Sequence, residues 1–125
     1  VEDTGDEQGR LKPVPAYVMV YEISGPMFFG AADKIPHMER DNGCRVLILR
    51  MRSVPAMDIT ALNGLRRLYD ECVRKNINVV FSHVNEQPMS VFRKSGMYDL
   101  VGAENFQPNI DVALERAISI GGMPV

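Results

Sequence analysis

Seven residues near the middle of the chain, Arg45-Val46-Leu47-Ile48-Leu49-Arg50-Met51, limit the fold most. Between the two arginines the run is apolar at every position. Successive side chains on a strand point to opposite faces, so a strand with this sequence needs cover on both. A parallel or mixed sheet with helices on each side supplies it; a sheet with one wet face does not.

The rest of the chain fits that demand, because strand and helix signals alternate. Tyr17–Ile23 is rich in β-formers and ends at the turn Ser24-Gly25-Pro26. A short extended piece follows at Met27–Phe29. The spacing predicts a helix capped near Asp33 and ending near Arg40, with Pro36 in its first turn, where an amide has no intrahelical partner. Asp41-Asn42-Gly43 turns the chain into the central run. The clearest helix comes after Asp58. Ala61, Leu62, Leu65, Leu68, Tyr69, Cys72 and Val73 recur near a 3.6-residue period, and the opposite face is charged. Asp70–Arg74 and Glu71–Lys75 are i,i+4 pairs, and Asn76 is placed to end the helix in a left-handed conformation. Ile77–Ser82 reads as a strand, and Pro88 opens a helix that stops at Gly96. Tyr98–Gly102 reads as a connector. Asn109–Ser119 reads as a last helix, with Ile110, Ala113, Leu114, Ala117 and Ile118 inward. Such alternation predicts one α/β domain. Residues 1–12, acidic and poor in apolar groups, read as a linker, 13–120 as the domain and 121–125 as a tail.

Composition narrows the function. The formal net charge is −2, which gives no basic field for nucleic acid. Trp is absent, and an aromatic platform for bases is not expected. No apolar run approaches the roughly 18 residues of a membrane span. A start at Val1 rather than Met is read as the mark of a fragment or a processed form. Cys44 and Cys72 sit where core thiols would, not in a disulfide framework. His37 and His83 lack metal-ligand companions and read as surface or loop residues. The chain has no G-x-S-x-G, H-E-x-x-H, Walker A or G-x-G-x-x-G pattern. The expectation is no enzyme, no cofactor and no metal.

Three groups of residues invite a functional reading. Asp58 and Thr60 stand directly before the clearest helix. They lack a base that would make the hydroxyl a nucleophile, whereas an Asp or Thr oxygen in that place can accept a free amide of the first turn. A regulatory phosphate or an anion at the helix start is the alternative. Phe28 and Phe29 are adjacent in an extended piece, so one ring can be core while the other stays available to a partner. Arg50 and Arg52 read either as solvated strand-end charges or as positive charge near the loop to Asp58.

Taken in order, three stretches resemble the STAS domain found at the C-terminus of SulP-type anion permeases: "YVMVYEISGPMFFGAADKI", "RVLILRMRSVPAMDITALNGL" and "FRKSGMYDLVGAENFQPNIDVALERA". The similarity covers roughly residues 16 to 119. It implies an anti-sigma-factor-antagonist-like fold, a mixed sheet packed with helices, and a non-catalytic regulatory or interaction domain on the cytoplasmic side of the inner (plasma) membrane. The parent would carry sulfate, bicarbonate or a related anion, usually as a homodimer. The implied partners are the membrane part of its own permease and a cytosolic protein, with a weakly held nucleotide as a further alternative. The free-standing members of the family carry Asp-Ser-Ser-Gly, and a kinase phosphorylates the serine after the Asp. Here Asp58-Ile59-Thr60-Ala61 stands in that place, and Ile59 has no hydroxyl. A partner switch, or a nucleotide- or anion-sensing module, is therefore the second reading. Asp58, Ile59, Thr60, Phe28 and Phe29 form the candidate interaction loop.

Overall fold

The strands form where β-branched and aliphatic residues run together, and they end where Gly, Ser or Pro can turn the chain. The computed structural model describes residues 15–28, 35 and 43–121. In chain order they form β1 (Val18–Ser24), β2 (Val46–Ser53), α1 (Ile59–Arg74), β3 (Asn78–Ser82), α2 (Glu86–Ser95), α3 (Met97–Val101), a 3₁₀ turn (Ala103–Asn105), β4 (Phe106–Gln107) and α4 (Ile110–Gly121). The sheet has four strands in the order β1-β2-β3-β4. All three pairings are parallel, with Val46 beside Val18 and Asn78 and with Phe81 beside Phe106. No antiparallel pair occurs among the described strands. Apart from Ile35, the helix expected at 33–40 lies outside the described residues, as does His37.

β2 is the centre of the molecule. Val46 through Met51 are all buried, and alternate residues feed two separate cores. Leu47, Leu49 and Met51 join Val79, Phe81, Leu62, Leu65, Leu68, Cys72 and Phe92 under α1 and α2. Val46 and Ile48 join Val18, Val20, Val80 and the α4 residues Ile110, Ala113, Leu114 and Ala117 on the other side. The unbroken apolar run is thus explained by cover on both faces.

Two predicted helix ends hold. Asn76 adopts φ 59 after α1, and Gly96 adopts φ 86 after α2. Other expectations need correction. α2 begins at Glu86, before Pro88, which sits within its first turn. The supposed connector contains the short helix α3, because left-handed Gly96 redirects the chain and Met97 and Val101, four apart, both become buried. Val73, which belongs to the apolar period of α1, and Ile118, expected inward on the last helix, are 52% and 40% exposed. Each lies about 80° round its helix from the centre of the buried stripe (Leu65) or from its first residue (Ile110), which puts it at the margin of the apolar face. Arg50 is no solvated strand end: it is fully buried. It shares the parity of Val46 and Ile48 and so points into the α4 layer.

Candidate functional site

The loops that follow β1 and β2 are tied into one block. Met27 and Met57 form a parallel bridge, with Met27 N–H donating to Ala56 O at 2.9 Å and Asp58 N–H to Met27 O at 3.0 Å. Gln87, in the first turn of α2, acts as a strand would. Its Oε1 accepts Met57 N–H at 2.8 Å and its Nε2 donates to Met57 O at 3.1 Å. Asn85 Nδ2 donates to Arg52 O at 3.1 Å and to Val54 O at 2.8 Å. Two α2-side amides thereby fix the backbone between β2 and α1. Satisfied buried backbone groups of this kind make a rigid loop rather than a mobile one.

On that block Asp58 is the cap of α1. Its backbone is extended, and its Oδ1 accepts Ala61 N–H at 2.9 Å. Of the two capping candidates, the structure selects Asp58. Ile59 opens the helix and remains 53% exposed, although it is a large apolar residue. Thr60, the next residue, is exposed. Met27 is fully buried while its neighbour Phe28 is 48% exposed, as extended alternation requires.

Phe28, Asp58 and Ile59 come together around one open groove of about 420 Å³, together with Met57 and, from α2, Gln87, Val91, Lys94 and Ser95. The structure therefore unites three of the five candidate residues. Thr60 stands beside the groove without lining it, and Phe29 lies outside the described residues. Sequence reasoning missed the α2 contribution. Val91 and Lys94 are three apart and so share a helix side, but nothing in the sequence says that this side faces Phe28. Gln87 carries no sequence signal at all, since its role depends on the path of a loop thirty residues earlier.

A second cleft, of about 490 Å³, lies past the ends of β3 and β4 and is lined by His83, Asn85, Met89, Phe106, Gln107 and others. His83 holds φ 56, an uncommon conformation for a non-glycine residue, and its N–H donates to Gln107 O at 2.8 Å. The Phe106 ring packs at 5.1 Å on Phe81 and at 4.8 Å on Tyr98, so its aromatic surface is already engaged. Among the described residues no cluster of His, Cys, Asp or Glu is arranged to hold a metal ion. The buried Arg50 has its pKa pushed down to about 10 by desolvation, with Arg52 adding to the shift and Asp111 opposing it. It is a charged group inside the α4 layer, on the opposite face of the sheet from the core that Met57 of the groove joins.

Comparison with known proteins bears on what this arrangement serves. The STAS domain family model matches residues 11–113. The chain belongs to the STAS domain family. A sulfate transporter family protein from Wolinella succinogenes has the same fold, with a TM-score of 0.85 and 30% identity over 98% of this chain and all of that one (100%). The STAS domain of a SulP transporter from Vibrio cholerae matches with a TM-score of 0.73 and 30% identity, covering 90% of this chain and 88% of that one. The bicarbonate transporter BicA of a Picosynechococcus species is 26% identical over 116 residues, 92% of this chain. This STAS chain spans only 20% of that transporter's length, and 17% and 13% of two further relatives, from Bacillus subtilis and Arabidopsis thaliana. None of the helices among the described residues is long and apolar enough to cross a membrane.

Proposed function

We propose that this STAS domain is the cytoplasmic regulatory and interaction module of a SulP-type transporter for sulfate or a related anion, and that it performs no catalysis itself. The observation that carries the reading is the pairing of Phe28 and Ile59. Two large apolar side chains, about half exposed, flank one groove on a hydrogen-bonded, rigid support. Exposed apolar surface that is held in place, rather than left to fluctuate, is what a docking site needs. The partner in this reading is the membrane part of the same transporter, and the assembly is a homodimer. Ile59, which offers no hydroxyl where the free-standing members carry their phosphorylated serine, supports docking over a phosphorylation switch.

The reading is tested in the parent transporter. Deleting residues 13–125 is expected to lower uptake or the amount of transporter at the cell surface. Ile59→Asp is expected to lower uptake at unchanged protein level. Normal uptake by both variants would reject it, and stoichiometric phosphate on Thr60 in the native protein would restore the switch.

A further inference from the structure

The polar groups of the groove are almost all in use within the domain. Asp58 Oδ1 accepts Ala61 N–H. The Gln87 amide is committed at both ends to Met57. Ser95 Oγ donates to Phe92 O at 3.0 Å and accepts Met97 N–H at 3.2 Å. Arg93, next to the groove residue Lys94, has its guanidinium 4.6 Å from the centre of the Tyr98 ring. Lys94 differs: it is exposed and, among the described residues, forms no ion pair. The groove therefore presents apolar surface and one uncommitted cation.

We infer that the groove receives an amphipathic segment of the transporter it docks to, one that places apolar side chains on Phe28, Ile59 and Val91 and a carboxylate against Lys94. The inference rests on the docking reading above and adds the chemistry of the partner. Apolar cover removes Phe28 and Ile59 from water, which is the main source of affinity at such a site. Charge complementarity then selects among apolar segments, since an acid opposite Lys94 is attracted and a base is repelled. An anionic membrane surface fits less well. Its attraction grows with the number of Lys and Arg at the surface, and here one ammonium shares the groove with the carboxylate of Asp58, whereas a protein segment can set a single carboxylate against Lys94 and keep apolar groups beside Asp58.

The test uses the 125-residue chain and two synthetic helical peptides. Both carry leucines at i, i+3 and i+7. One has glutamates flanking the leucines, and the other has lysines in those places. Binding is followed by NMR, reading the methyl signals of Ile59 and Val91. The glutamate peptide is expected to bind at the groove about tenfold more tightly at low salt, a difference that shrinks as salt is raised. Lys94→Glu is expected to invert the preference, and Ile59→Asp to weaken both peptides. Equal affinities for the wild-type chain, no binding of either peptide, or no effect of Lys94→Glu would overturn the inference. So would groove signals that shift only with protein concentration, which would mean a second copy, or only with phosphatidylserine vesicles, which would mean a membrane. Reduced uptake by Ile59→Asp in the parent, combined with indifference of the peptides to Lys94→Glu, would leave the docking reading in place and remove the partner's charge.

Discussion

At the scale of single residues, the two buried groups with shifted titration have different consequences. Burial pushes the Cys72 thiol up to about 12, and the charge of Glu71 adds to the shift. The folded pKa lies above the unfolded value of about 9, so the contribution of Cys72 to stability is full below that pH. It is lost as pH rises towards about 12, because the unfolded chain then releases a proton that the folded one retains. Cys72→Val should flatten this alkaline loss in urea unfolding curves taken across the same range. A thiol reagent at neutral pH should modify half-buried Cys44 well before fully buried Cys72. Arg50 has the opposite sign: burial disfavours its charged form, with Asp111 offsetting part of the cost. Asp111→Leu removes the charge that offsets part of that cost, so it should destabilise the fold, and it should do so less once Arg50 is replaced by Met, a coupling read in a double-mutant cycle. Nothing in the sequence around Arg50 foretold its burial. A basic residue at the end of an apolar run reads as a solvated end, and only the position of α4 above β2 makes it interior.

Among the elements, those with a strong period were legible and those made by tertiary context were not. α1 was readable because its apolar stripe, its cap and its terminator agree. β2 was readable because its unbroken run permits few other uses. α3 and β4 were hidden. Five residues carry too little periodicity to declare a helix, and β4 has only two residues, which pair with β3 because the chain is brought there by the 3₁₀ turn. The groove was half legible for the same reason: Phe28, Asp58 and Ile59 carry local signals, whereas the α2 wall does not. The cap of α1 is a clean test at this scale. Asp58→Ala should cost about 1 kcal/mol, read as a lower midpoint in chemical unfolding. Thr60→Ala, at an exposed site with no cap bond, should change stability by no more than about 0.5 kcal/mol. An equal loss from both would mean that the two side chains share the cap.

For the molecule as a whole, the double-sided core separates folding from docking. Leu65 is fully buried between α1 and the sheet, so Leu65→Ala should cost roughly 2–5 kcal/mol. At about 4–8 °C per kcal/mol for a domain of about a hundred residues, that is a large fall in melting temperature. Ile59 is already half exposed and contributes little to the core, and exchanging it for Asp at the start of a helix adds a charge of the sign that the helix dipole favours there. Ile59→Asp should therefore leave melting nearly unchanged. If the groove serves docking, uptake by the parent will not track stability across these variants. Ile59→Asp should lose uptake while keeping its melting temperature, and a surface change on the far side of α1, such as Arg67→Ala, should keep both. Leu65→Ala should lose both together, because a domain that unfolds cannot present a groove. The measurement is thermal unfolding of the isolated chain set beside uptake by the same variants in the full transporter. Uptake that follows melting temperature alone, with Ile59→Asp falling on the same line as Leu65→Ala, would mean that the transporter needs the domain only to be folded.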